Sequence, residues 1–260
     1  MNLIEREMIE VLRKLKDEYG VFEIKAEYEN EGSRQDELMR LKDVADRVGL
    51  PIIMKIGGVE AITDIYNSIT LGVSGIIAPM AETKFAVSKF TNSIETFVSE
   101  DNREDIEFAF NLETITGYEN IDDILTLDNL NVLSGVTIGR VDFTASMGKD
   151  RSFADSDTML EYCTNVFTKC REKGLNCGLG GAISANSSDF IKSLVNKNLI
   201  DKYETRKIVY SKDAVHNISD GILAGVEFEL LWLKSKRRYY HRIKTEDEKR
   251  IEMLDKRLNG

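Results

Sequence analysis

The feature that most constrains this sequence is its alternation. Short apolar and β-branched runs take turns with longer amphipathic stretches, and no Pro-, Gly- or Ser-rich linker separates them. Repeated strand–helix units in one uninterrupted domain imply parallel strands covered by helices. Ile4, Met8, Val11, Leu12 and Leu15 have helical spacing, and Gly20 follows as a C-cap. Strands are expected at FEIKAEYE (22–29), PIIMKI (51–56), GIIAPM (75–80), IEFAFNLET (106–114), VLSGVTIGRVD (132–142), NCGLGGA (176–182) and TRKIVYS (205–211). Helices are expected near 34–48, 59–71, 84–98, 120–126, 155–173 and 187–197.

Seven such strands point to an α/β fold of the TIM-type (β/α)8-like barrel class. No GxGxxG or GxxxxGK[ST] loop supports a doubly wound open sheet. Met1 and Asn2 leave no room for a strand ahead of the first helix, so the barrel is expected either to close unusually or to keep one open edge. Residues 1–212 are assigned to the barrel and 213–260 to a long C-terminal helical extension, rich in both charge signs, that packs on the barrel or on a neighbouring subunit.

Composition narrows the chemistry. A formal charge of −10 argues against nucleic acid as a partner. No apolar run approaches a membrane span, and Met1 to Glu7 carry charge where a signal peptide would be apolar, so a cytoplasmic protein without a membrane partner is expected. The only histidines are His216 and His241, which excludes a histidine-rich zinc site and disfavours a Ser-His-Asp triad. Cys163, Cys170 and Cys177 form no CxxC pair and are expected to be buried thiols. Carboxylates, amides, Lys and Arg must therefore build any site.

In a parallel barrel, chemistry gathers where strands end. The polar residues there are Glu27 and Glu29 with Arg34 nearby, Lys55, Glu82, Asn111, Glu113, Arg140, Asp142, and Glu204, Arg206 and Lys207 around the last strand. Glu113 and Asp142 end two successive, otherwise apolar strands. Two hard oxygen ligands suit Mg2+ or Mn2+; the alternative is that each carboxylate caps a loop or pairs with an Arg. Arg140 either faces an anionic substrate group or pairs with Glu113 or Asp142.

The segments IAPMAET (77–83), FNLETITGYEN (110–120) and GVTIGRVDFTASMG (135–148) resemble successive signatures of the HpcH/HpaI aldolase and citrate lyase β-subunit family, within the phosphoenolpyruvate/pyruvate barrel superfamily. The resemblance spans about residues 22–211. It implies a divalent metal held by Glu113 and Asp142, and enolate chemistry on a pyruvate-like 2-oxo acid, with an aldehyde or sugar-derived acceptor as a further partner and a homo-oligomeric assembly. The implied activity is that of a carbon–carbon lyase or aldolase; a citrate-synthase-like or acyl-CoA ester lyase reaction at the same site is the runner-up, and a non-catalytic ligand-binding barrel a third reading.

KAEYENEGSR (25–34), KIGGVEAITD (55–64) and ETRK (204–207) together resemble a divergent subgroup of this family, which departs from the usual pattern. Lys55 stands where the aldolases place an Arg, and the strand matching IKAEYE lacks the aldolase His. From their place at the barrel mouth, Lys55 and Arg140 are the candidate catalytic residues that would neutralise enolate charge, and Glu27, Arg34, Glu82, Asn111 and Arg206 the candidate substrate-binding residues; for Glu27, Arg34, Lys55 and Arg206 the alternative is a salt bridge that closes the barrel end. The base is open among a metal-bound water, Glu27, Glu29 and Glu82. Lys55 as a Schiff-base nucleophile is the competing mechanism.

Overall fold

The structure of the protein is a computed structural model that describes residues 1–259. Helix α1 (Leu3–Tyr19) opens the chain, capped reciprocally by Asn2 and Glu5 and ended by Gly20 in the left-handed region. There follow β1 (Val21–Glu27), α2 (Gln35–Asp46), β2 (Ile52–Lys55), α3 (Ile62–Leu71), β3 (Gly75–Ala78), α4 (Lys84–Phe97), a short α5 (Glu100–Asp105), β4 (Glu107–Leu112), the short helices α6 (Ile115–Glu119) and α7 (Ile121–Ile124), and β5 (Gly135–Gly139). Helices α8 (Arg140–Ser146) and α9 (Asp157–Glu172) lead to β6 (Asn176–Gly180), α10 (Ser188–Asn196), β7 (Lys202–Glu204), β8 (Ile208–Ser211) and α11 (Ile218–Asn259).

The eight strands close into a barrel in sequence order. Strands β1 to β7 run parallel, whereas β8 is antiparallel to both β7 and β1. The open question of the eighth position is thus answered by a hairpin. The stretch 205–211, expected as one strand, is a turn at Thr205–Lys207 followed by β8, and the missing partner is the three-residue β7. The hairpin tip lies at the C-terminal end of the parallel strands, which is the barrel mouth.

Strand alternation divides the apolar residues into two sets. Outward side chains such as Ile24, Ile52, Met54, Phe108, Phe110, Val136 and Leu179 join the helices in one continuous core. Ile53, Ile77 and Val209, packed with Ala109, form a separate small cluster inside the barrel. Above it the interior turns polar.

Helix α11 begins at the base of the barrel. Gly221 lies against Tyr19, and a Cβ on Gly225 would meet the Tyr210 hydroxyl at 2.2 Å, so the helix approaches the strands closely there. It climbs antiparallel to α1, passes the mouth and is fixed to α2 by Lys236 and Tyr240, both bonded to Glu37. At 42 residues it is about 63 Å long and outruns the barrel. No helix is long and apolar enough to cross a membrane among the described residues.

Candidate active site

Glu23, Lys25 and Glu27 alternate along β1 and all are buried. Glu23 meets Lys202 at 3.4 Å near the base. One layer up, Lys25 Nζ bonds Glu204 and lies 3.4 Å from Glu27 Oε1. Burial alone would drive Lys25 towards the neutral amine, but Glu204 and then Glu27 hold its ammonium far above the usual lysine range. Glu27 answers in kind: burial would raise its carboxyl, yet Lys25, Lys55, Lys207 and Arg206 together keep it below the usual range. These groups open into a cavity of about 400 Å3 at the mouth.

Glu113 occupies the opposite wall, between β4 and α6. Its Oε1 accepts from Lys55 Nζ at 3.1 Å and Asn111 Nδ2 at 2.9 Å, and its Oε2 accepts from the Met80 N–H at 3.2 Å. Met80 adopts φ +49°, a left-handed conformation uncommon outside glycine, and this directs its amide at Glu113. Lys55 also pairs with Glu29 at 3.1 Å. Burial would lower the Lys55 ammonium, but Glu113 reverses the direction and raises it.

Asp142 lines the same cavity from the first turn of α8, not from a strand end as expected, because β5 stops at Gly139 and the chain turns directly into a helix. Burial, and next the Glu113 charge, pushes its carboxyl above the ordinary range. The Glu113 charge thus reaches Asp142 across the cavity, and Lys55 opposes it only in part.

Whether these residues suit a divalent ion can be tested on the site itself. Six carboxylates line the cavity against four cations, an excess that a dication would cancel. Asn111 Oδ1 is buried without a partner beside Glu113. No cluster of three or more His, Cys, Asp or Glu ligands exists among the described residues, so the protein would supply two carboxylates and leave the remaining positions to water or substrate. That is the habit of Mg2+ and of Mn2+, and the donor set fits.

The other expected site residues divide. Glu27, Lys55, Asn111 and Arg206 line the cavity. Arg140, Arg34 and Glu82 do not. Arg140 is completely buried, and its guanidinium donates to the carbonyls of Gly180, Gly181 and Ala154 and to Asp155 Oδ1 at 2.6 Å. It pairs with neither Glu113 nor Asp142. Arg34 precedes α2 and lies 5.0 Å over the Tyr240 ring. Glu82 accepts from the Thr114 hydroxyl at the start of α6. Glu204, expected at the end of the last strand, lines the cavity as well, and Lys25, Asn30 and Arg151 line it without having been expected there. The signal for Lys25 was present in the alternation Glu23, Lys25, Glu27, which puts three charges on one face of a strand.

The model of the HpcH/HpaI aldolase/citrate lyase family matches residues 53–187, from the second residue of β2 to the turn before α10. The chain belongs to this family. Among solved structures, an HpcH/HpaI aldolase from Desulfitobacterium hafniense superposes with a TM-score of 0.60 at 13% identity, covering 78% of this chain and 82% of that one. The citrate synthase SbnG gives 0.59 at 16% identity, covering 87% and 91%. A citrate lyase β subunit from Mycobacterium tuberculosis, solved with oxaloacetate and magnesium, gives 0.52 at 11% identity, covering 82% and 92%. These superpositions show a shared barrel fold. No curated protein matches the sequence. An HpcH/HpaI-type barrel is thus the frame in which Glu113 and Asp142 meet.

Proposed function

We propose that the chain is a metal-dependent carbon–carbon lyase that makes or breaks the bond one carbon beyond the keto group of a 2-oxo acid, where the electron pair of the broken bond is delocalised onto the keto oxygen as an enolate. The observation that carries this reading is the pair Glu113 and Asp142, which share a polar cavity at the barrel mouth with more carboxylates than cations. The magnesium and oxaloacetate in the M. tuberculosis citrate lyase β subunit support it. Glu113 and Asp142 would hold Mg2+ or Mn2+, which, when bound, stabilises the negative charge that develops on the substrate's oxygens.

The chain's own residues do the rest. Lys55, Asn111 and the Met80 amide fix the Glu113 carboxylate from three directions, so it cannot rotate away. Lys55 also places a permanent cation beside the reacting centre. Its two carboxylate neighbours keep it protonated, which removes the free amine that a Schiff base needs. Glu27 is held ionised and reaches the cavity, so it is the side chain best placed to move the substrate proton, with Glu29 beside Lys55 as its neighbour. Arg206 on the hairpin tip, 3.9 Å from both Glu31 and Glu229, holds neither tightly and is free to meet the charged end of an acid substrate.

The test is pyruvate release from 4-hydroxy-2-oxo acids and from oxaloacetate, followed with and without EDTA. Activity should vanish in EDTA and return with Mg2+ or Mn2+. Glu113→Gln and Asp142→Asn should each lower kcat/KM by about two orders of magnitude or more, the scale of a lost electrostatic stabiliser. Undiminished release by both variants overturns the reading, and borohydride trapping of pyruvate on Lys55 would replace it with Schiff-base chemistry.

A further inference from the structure

Arg140 faces no cavity, yet the chain buries it completely. Withdrawing a guanidinium from water is costly, and the donors here are directed at two neighbouring segments. Nε donates to the carbonyls of Gly180 and Gly181 at the end of β6, and Nη1 to the Ala154 carbonyl at 2.8 Å and to Asp155 Oδ1. The other oxygen of Asp155 accepts from the buried Ser187 hydroxyl at 3.1 Å. Arg140 thereby locks the 3-10 turn Arg151–Asp155 against the end of β6, and both segments contribute to the lining of the cavity.

The turn is fastened along its length. Asp150 Oδ1 accepts from the N–H of Ser152 at 2.8 Å and from its hydroxyl, Phe153 packs on the core, and Ala154 is wholly buried. Arg151 is the one side chain of the turn that nothing among the described residues holds, and it is the one that reaches the cavity. Charge singles out the same residue. Among the cations that line the cavity, Lys25 pairs with Glu204 and Glu27, Lys55 with Glu29 and Glu113, and Arg206 stands 3.9 Å from Glu31 and Glu229. Arg151 has no carboxylate partner among the described residues. A guanidinium presented from a fixed turn, with its fork of donors unengaged, is shaped for a carboxylate, which it meets through two parallel hydrogen bonds.

We propose that Arg151 is the residue that selects the substrate's acceptor half, by binding a carboxylate carried beyond the cleaved bond, and that Asp155 and Arg140 are positioning residues that hold it at the cavity. The inference rests on the lyase reading and narrows it. Arg151 follows Asp142 in the connection from β5 to α9, and both open on the same cavity, so one diacid can meet both. A neutral acceptor would leave Arg151 without a counter-charge. A single guanidinium balances one carboxylate, whereas it leaves the near-dianion of a phosphate half neutralised. The arginine expected at the mouth thus sits beneath it and delivers a second arginine in its place.

The test is a ratio of affinities, read by calorimetric titration of the full chain in Mn2+ with two unreactive acids, 2-oxoglutarate and 2-oxopentanoate. The second carries a methyl group where the first has its far carboxylate. Wild type should bind 2-oxoglutarate about tenfold or more tightly, the scale of a charge-assisted hydrogen bond. Arg151→Gln should reduce that ratio to about one, Arg151→Lys should keep part of it, and Asp155→Asn should lower it although the cation itself is unchanged. A ratio does not register a smaller folded fraction, so a merely structural role for Asp155 would leave it in place. The kcat/KM values for 4-hydroxy-2-oxoglutarate and 4-hydroxy-2-oxopentanoate should carry the same preference, expressed in KM. Pyruvate release from both acids, with a ratio that Arg151→Gln leaves intact, overturns this proposal and spares the lyase. An Arg151-dependent binding ratio with no pyruvate from either acid overturns the lyase and leaves Arg151 as a carboxylate receptor. Equal affinity of wild type for the two unreactive acids, or no binding of either, overturns the proposal.

Discussion

The Glu113 carboxylate occupies the space that a side chain on Gly139 would need: a Cβ at position 139 would lie 2.6 Å from Oε1 and 2.7 Å from Cγ of Glu113. Gly139 is the last residue of β5, and Glu113 follows β4 on the neighbouring strand. The absence of one methyl group thus sets where the carboxylate stands, and with it the spacing to Asp142 three residues further on.

Gly139→Ala should therefore damage the site more than the fold. Overpacking of this kind costs about 1–3 kcal/mol. The variant should stay folded by circular dichroism, yet calorimetric titration should show its affinity for Mn2+ lowered about tenfold or more. Affinity equal to wild type would mean that Glu113 tolerates a displaced position.

Lys25 is the ion-pair partner of both Glu204 and Glu27, so Lys25→Met strands the buried Glu204, while Glu27 keeps the fields of Lys55, Lys207 and Arg206. Removing one partner of a buried pair costs about 3–5 kcal/mol, which urea denaturation should register. Adding Glu204→Gln to Lys25→Met should return part of that loss, since the second substitution discharges the stranded group. Two additive losses would show that the pair is not coupled.

Arg140 is expected to act on stability and loop order. Arg140→Met leaves the carbonyls of Gly180, Gly181 and Ala154 without their buried donor, at about 1–3 kcal/mol for each unsatisfied group. The same change frees Asp155, the last residue of the 3-10 turn Arg151–Asp155 that carries Arg151 to the cavity. A clear drop in melting temperature with near-normal Mn2+ affinity is the expected pattern. Normal stability with abolished metal binding would restore a direct role.

The joint between α11 and α2 should loosen in acid. Burial would raise the Glu37 carboxyl, but the Tyr240 hydroxyl, the Arg34 N–H and Lys236 outweigh it and hold the group below its usual value. A carboxyl depressed in the folded state contributes its full stability above the unfolded value, about 4.3, and loses it as pH falls through the folded one. The melting temperatures of wild type and Glu37→Gln should differ at pH 6 and converge as the pH falls below about 4. A constant difference across that range would place the effect elsewhere.

Particular residues show what the sequence could reveal. That Glu113 lines the cavity was legible because it closes an apolar strand at the mouth, and Asp142 because it follows the next strand closely, even though it sits in a helix. Arg140 misled for a geometric reason. It lies two residues from Asp142 at the start of α8, and side chains two apart on a helix project to nearly opposite sides, so only one of them can face the cavity. The hairpin was hidden because TRKIVYS is uniformly strand-like, and only the pairing of Tyr203 with Tyr210 shows that the chain reverses there. Lys25 and Glu204 lie on strands that do not neighbour each other in sequence, and their union depends on closure.

That closure also bears on how the chain is made. Strand β1 finds its second neighbour only in β8, with Val21 against Tyr210, so nearly the whole polypeptide must be synthesised before the first strand is paired on both sides. Until Ser211 has emerged, β1 and β6 are bare edges of an unfinished sheet, the state most prone to pair with other nascent chains. The ordering of the final hairpin is then the late, committing event of folding, and slow translation upstream of residue 202 would lengthen the interval in which aggregation competes with it.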